Sequence, residues 1–113
     1  MGNAVTRRVV VTHRAAAQLN ATADWIAERA PLNAEKWFAE FAAKLQTLAE
    51  NPERRPRARE SRQMPFELRE LLFGQRRQWR VLFTVRQDIV LVMAIRHAAQ
   101  EDVTLEELLE PHE

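Results

Sequence analysis

Residues 78–97 restrict the fold more than any other stretch. From Gln78 to Val85, Trp79, Val81, Phe83 and Val85 alternate with Arg80, Leu82, Thr84 and Arg86. After Arg86-Gln87-Asp88, Ile89, Leu91, Met93 and Ile95 alternate with Val90, Val92, Ala94 and Arg96 up to His97. A period of two means strands, and a link this short makes them antiparallel neighbours. Because both faces are largely apolar, they read as interior strands of a sheet. Arg80 and Arg96 break that apolar content. Each is either paired with a carboxylate or exposed on a working face of the sheet.

The remaining elements follow from the same patterning. Residues 5–12, rich in β-branched types, predict a strand, with Thr12 placed to cap the next helix. From His13 to Ala30, Leu19, Ala23, Ile26 and Ala30 recur at three- and four-residue spacing until Pro31. Asn33 is read as the cap of a second helix, striped by Trp37, Phe38, Phe41, Leu45 and Leu48 and ended by Asn51-Pro52. Trp37, Phe38 and Phe41 are assigned to packing, as is Trp25, although a Trp at an exposed hairpin edge can also anchor a partner. Residues 52–65, with three prolines and five arginines, read as a loop, either functional and mobile or a tolerated insertion. Phe66 to Phe73 forms another strand, joined through Gly74 and Arg76-Arg77 to the alternating pair. Thr104-Leu-Glu-Glu107 has capping-box form and starts a short acidic helix to about Glu110.

The expected fold is therefore α+β in the order β-α-α-β-β-β-α, a helical hairpin packed on one face of a small antiparallel sheet. At 113 residues there is room for one domain, taken as 1–113 with 98–113 an acidic C-terminal helical tail. The arginine-bearing strand positions and the 52–65 loop are expected to converge on the face opposite the helices.

Composition removes several chemistries. Only Gly2 and Gly74 occur, so a glycine-rich phosphate loop cannot be built. Cysteine is absent, Ser61 is the only serine and lacks a GxSxG frame, and His13, His97 and His112 form no HExxH motif. No metal site and no cofactor are expected. The absence of a long apolar run argues against a signal peptide or membrane span and places the chain in the cytoplasm.

The net charge of +1 conceals strong segregation. Residues 1–53 balance six basic groups against six acids; residues 54–97 carry eleven arginines against four acids, and residues 98–113 carry six acids and no Arg or Lys. Arginine suits forked contacts with carboxylate or phosphate. The arginines can serve a polyanion or acidic partner, or be a solvated face neutralised by the acidic tail folding back on it.

In this order the sequence resembles the RelE/ParE superfamily, small toxins of bacterial type II toxin-antitoxin systems also described as plasmid stabilisation proteins. The carrying residues are Val9-Val-Val-Thr-His-Arg-Ala-Ala15, Asp24-Trp-Ile-Ala27, Phe66-Glu-Leu-Arg-Glu-Leu-Leu-Phe-Gly74, Trp79-Arg-Val-Leu-Phe83 and Ile95-Arg-His-Ala-Ala99. RelE-like members cleave mRNA in the ribosome with basic residues and a C-terminal acid-base group. On that alternative, Arg80, Arg96 and His97 are the site residues, with His97, Glu60 or Glu67 left for proton transfer. Tyrosine is missing from the chain, and Ala98 and Ala99 stand where such nucleases commonly place His or Tyr.

ParE-like members are closer in the Arg-His-Ala-Ala-Gln ending and the paired helices. That resemblance implies growth inhibition by binding DNA gyrase and stabilising its cleaved DNA complex, without catalysis by the toxin. It also implies a cognate antitoxin whose extended segment wraps the toxin in a hetero-oligomer. Arg69, Arg76, Arg77, Arg80, Arg96 and His97 are the expected target- or antitoxin-binding residues. Each has a plainer reading: Arg69 and Glu70 as a surface ion pair, Arg76 and Arg77 as hairpin solubility residues, His97 as a satisfied strand-end histidine.

Overall fold

Strand β1 (Arg8–Val11) runs directly into helix α1 (His13–Arg29), and Thr12 marks the junction: its Oγ1 accepts the Ala15 N–H at 3.2 Å. The computed structural model describes residues 6–109, so the expected strand start at Val5, the helix end at Glu110, and His112 lie outside the described residues. Helix α2 (Pro31–Gln46) follows α1 after the single residue Ala30. Pro31 thus does more than stop the first helix. It occupies the first position of the second, where a fixed φ suits the helix and no N–H is needed, so Asn33 is not the expected cap and lies inside the first turn.

Strands β2 (Arg69–Phe73), β3 (Trp79–Arg86) and β4 (Ile89–His97) complete a four-stranded sheet in the order β1-β4-β3-β2, and α3 (Leu105–Leu109) ends the described chain. The expected element order is present. The sheet, however, is mixed and not antiparallel throughout: β1 pairs with β4 in parallel, Val9 opposite Val90 and Val11 opposite Val92. A parallel pair needs a long crossover, which the helices and the other two strands supply.

Strict alternation in β4 also fails. Leu82 faces Ala94 but Phe83 faces Val92, which leaves Met93 as an extra residue in a β-bulge. The bulge turns Ile95 to the side of Val90 and Val92, where all three pack with Ala15, Leu19, Phe41, Leu45, Val81 and Phe83 under the helices. Phe38 is exposed despite its place in the sequence stripe, because Trp37, Phe41 and Leu45 follow a four-residue spacing that Phe38 misses by one. Trp25 is also outside the core, 51% exposed.

The opposite face is not open. Ala58, Leu68, Leu82, Ala94 and Val103 are buried together there, with Met64, Phe66 and Leu108 against them. Residues 52–65 form a strap across this face, and the expectation of an unpacked loop is overturned. Two short 3-10 turns, Pro52–Arg54 and Arg59–Gln63, give it local structure. Ala58 N–H bonds Leu68 O at 2.8 Å, Glu70 N–H bonds Pro56 O at 3.0 Å, and Ser61 Oγ accepts the Leu68 N–H at 2.9 Å. These bonds hold the strap along the outer edge of β2 and start that strand at Arg69 instead of Phe66.

Candidate functional site

The strap delivers a carboxylate to the middle of the sheet. Glu60, in the second strap turn, is 2% exposed and meets Arg80 of β3, itself 3% exposed. Arg80 Nη1 donates to Glu60 Oε2 at 2.9 Å, Nη2 to Oε1 at 2.7 Å, and Nε to Glu70 Oε1 at 2.9 Å. Val103 N–H, from the segment before α3, adds a bond to Glu60 Oε2 at 3.1 Å. Burial pushes the Glu60 carboxyl up, but the Arg80 hydrogen bonds and the Val103 N–H outweigh it and hold the group at about 2. The Glu60 hydrogen bonds raise Arg80 above its ordinary value against the effect of burial. An outward-pointing Arg80 guanidinium is therefore not found. Each of its three guanidinium nitrogens donates to a carboxylate of its own chain.

Arg96 is closed in the same way. It lies opposite Arg80 across the β3–β4 ladder. Its Nη1 donates to Glu107 Oε2 at 2.8 Å, Nη2 to Oε1 at 3.3 Å, and Nε to the Glu101 carbonyl at 2.6 Å. Glu107 is oriented by the predicted cap, since its N–H bonds Thr104 Oγ1 at 3.1 Å. Arg59 pairs with Asp102 at 2.6 Å. The acidic segment thus does fold back on the arginine-bearing face.

His97 is separated from both arginines. Successive strand residues point to opposite faces, so while Arg96 turns to the strap, His97 turns to the helix side and stands edge-on to Trp79, ring centroids 4.9 Å apart. Its Nδ1 accepts the Ala99 N–H at 3.0 Å. Arg69 donates to the Arg55 carbonyl at 2.6 Å and pairs with Glu67, while Glu70 serves Arg80, so no Arg69–Glu70 pair forms. Arg76 and Arg77 remain exposed in the β2–β3 turn, both with left-handed backbone, φ 58° and 54°. Neither has a side-chain partner among the described residues.

The sequence reading missed the second feature of the molecule, a surface cleft of about 690 Å³ between the helical hairpin and the β2–β3 turn. Trp25, Ile26, Trp37, Phe73, Gly74 and Trp79 supply its apolar walls, with Lys36, Glu40 and the Gln75 and Gln78 amides at its margin. Trp79 also lines an adjoining cleft of about 470 Å³ with Trp25, His97 and Gln100. Three tryptophans in a chain this short were the available signal, but the period that places them cannot say which ring remains at a surface.

Comparison with known proteins places this geometry. The family model for the ParE toxin of type II toxin-antitoxin system, parDE, matches residues 9–102. A solved structure described as a chromosomal ParDE TA system from P. aeruginosa superposes with a TM-score of 0.66 at 22% identity, over 81% of this chain and 96% of that one, a likeness of fold. No curated protein matches the chain.

Proposed function

The chain belongs to the ParE toxin family of type II toxin-antitoxin systems, and on that premise we propose that it halts growth by binding DNA gyrase and is neutralised by a cognate antitoxin. The observation that carries the preference for a binding toxin over an mRNA nuclease is the closure of Arg80 and Arg96 by Glu60, Glu70 and Glu107. Cleavage of RNA requires cations free to meet the developing phosphorane charge, together with a base and an acid on the same side. Here the two strand arginines are neutralised internally and His97 lies on the other face. Glu60, held at about 2, is too weak a base for a 2′-hydroxyl. The chain also contains no tyrosine. These features favour action by surface contact, with Arg76 and Arg77 the expected residues still available for it. Among the described residues no helix is long and apolar enough to cross a membrane; action in the cytoplasm is part of the same proposal.

The deciding experiment is a gyrase supercoiling assay with the purified chain, run beside measurement of mRNA integrity in cells after induction. Blocked supercoiling with intact mRNA is the expected result. Fragmented mRNA with normal supercoiling would select the ribosome-dependent nuclease, and an inert chain under induction would remove the toxic activity itself.

A further inference from the structure

The carboxylates of this chain are unevenly distributed among its arginines. Arg57 and Arg69 share Glu67, Arg59 has Asp102, Arg80 has Glu60 and Glu70, and Arg96 has Glu107. Two adjacent pairs at the β2 edge of the sheet have none among the described residues. Arg54 and Arg55 stand at the start of the strap. Arg54 has no side-chain partner there, and Arg55 has only Thr47, its Nη2 donating to Oγ1 at 3.3 Å. Burial, and then the Arg54 charge, pull the Arg55 guanidinium below its ordinary value, as for a half-buried cation without a carboxylate. The Arg55 carbonyl accepts Arg69 Nη1 at 2.6 Å, which fixes this pair at the start of β2. Arg76 and Arg77 follow the end of β2. Both are exposed, in consecutive left-handed positions that Asn and Gly fill readily and arginine only at a cost.

Between the two pairs runs a strand of five residues, about 17 Å at about 3.3 Å per residue. That is the rise of about five base pairs of a duplex. Along it, Arg57 and Arg69 add two cations against the one acid they share. Glu53 is held by Arg7 and Glu70 by Arg80, which leaves Glu50, in the cleft beside Arg54, as an acid without a cation partner among the described residues. Six arginines thus face two carboxylates, Glu67 and Glu50. The exposed large apolar side chains, Trp25, Leu32, Phe38 and Leu109, belong to the helices. The edge therefore offers neither the apolar anchor of a protein contact nor the aromatic platform of a single strand. Forked cations spaced along a line suit a phosphate backbone. We propose that the β2 edge, from Arg54 and Arg55 to Arg76 and Arg77, is a rim that holds the backbone of duplex DNA. The rim rests on the arginines; the choice of DNA over RNA rests on the gyrase reading above.

The test is fluorescence anisotropy of the intact chain with a labelled DNA duplex of about 20 base pairs, its RNA counterpart and its single strand, over a salt series. The supercoiling assay is run beside it. The DNA duplex is expected to bind best, log K falling linearly with log salt by about 0.9 for each phosphate contacted. Arg76→Gln with Arg77→Gln is expected to weaken binding about tenfold or more near 0.1 M salt and to reduce that slope by about 2. Removing the same charge from other elements, Arg8→Gln on β1 with Lys44→Gln on α2, is expected to weaken it by about threefold at most. An equal loss in both double variants means attraction to net charge alone and overturns the rim. So does wild-type affinity in a folded Arg76→Gln, Arg77→Gln variant. Preference for the RNA duplex or the single strand overturns the DNA assignment, and displacement of the duplex by poly-glutamate of equal charge makes the edge an acidic-protein contact and overturns the proposal. Absent DNA binding with supercoiling still blocked overturns the rim and leaves the gyrase reading in place. DNA binding through the rim with supercoiling untouched supports the rim and overturns that reading.

Discussion

Glu60 and Arg80 form a two-point ion pair between the strap and the central sheet, at 2.7 and 2.9 Å, with both side chains almost wholly removed from water. Two charges buried at this depth gain little net stability over an apolar pair of the same volume, but either one alone is costly. The pair is therefore best understood as a register device. It admits one placement of the strap and, through Val103, one placement of the C-terminal segment.

That asymmetry predicts a double-mutant result. Glu60→Gln should destabilise the chain by about 3 kcal/mol, within the range for breaking a buried pair, because it leaves the Arg80 charge partly uncompensated. Replacing both, Glu60→Leu with Arg80→Met, should recover most of the loss. Urea denaturation of the wild type, Glu60→Leu, Arg80→Met and the double variant measures this, and a double variant as unstable as the sum of those two single changes would contradict the register account.

The same pair sets a pH dependence. The Glu60 carboxyl is held at about 2 in the folded chain, below its ordinary 4.5, so its contribution is present above about pH 4.5 and is lost as pH falls towards 2. A depression of this size corresponds to about 3 kcal/mol. Melting temperature should fall across that window in the wild type and markedly less in Glu60→Gln. Parallel profiles would place the acid sensitivity elsewhere.

The β3–β4 pairing and the starts of α1 and α3 were legible because they depend on period and local chemistry, whereas the parallel β1–β4 pair and the start of α2 at Pro31 were not. Alternation located β3 and β4, Thr12 and Thr104 announced their caps, and the tail's charge opposite to the strand region anticipated its return to Arg96 and Arg59. The bulge at Met93 was not legible, because one extra residue leaves composition unchanged and is settled by packing of Val92 and Ile95 under the helices. Nor was the strap. Its prolines and arginines resemble those of a free loop, and only the long-range bonds from Pro56, Ala58 and Ser61 to the β2 strand region show it ordered. Glu60 was visible as an acid among five arginines, but its partner is twenty residues away in sequence and spacing alone does not select it.

Gly74 gives a sharper local prediction. Its φ of +89° is strained for any L side chain, and an alanine Cβ would press on Trp79 Cδ1 at 3.0 Å. Gly74→Ala should cost about 1–3 kcal/mol, the usual range for a residue forced into that region. Loss of stability with a changed tryptophan emission spectrum is expected. An unchanged melting temperature would mean the turn relaxes freely.

The acidic tail gives the last test, in which stability and toxicity answer different questions. Val103 is fully buried beside Leu82 and Ala94, and its N–H is one of the bonds to Glu60. Arg96 loses both its carboxylate and a carbonyl when residues 101–107 are absent. Removing residues 101–113 should therefore lower stability by several kcal/mol, from lost apolar burial and a stranded half-buried guanidinium. Glu107→Gln is the milder companion, since it keeps Val103 in place and removes only the charge facing Arg96. If the segment is structural, the truncation lowers the melting temperature strongly and Glu107→Gln slightly, while growth inhibition by Glu107→Gln stays at the wild-type level. If Glu107→Gln changes growth inhibition at unchanged melting temperature, the segment belongs to a contact surface, and Arg96 with it.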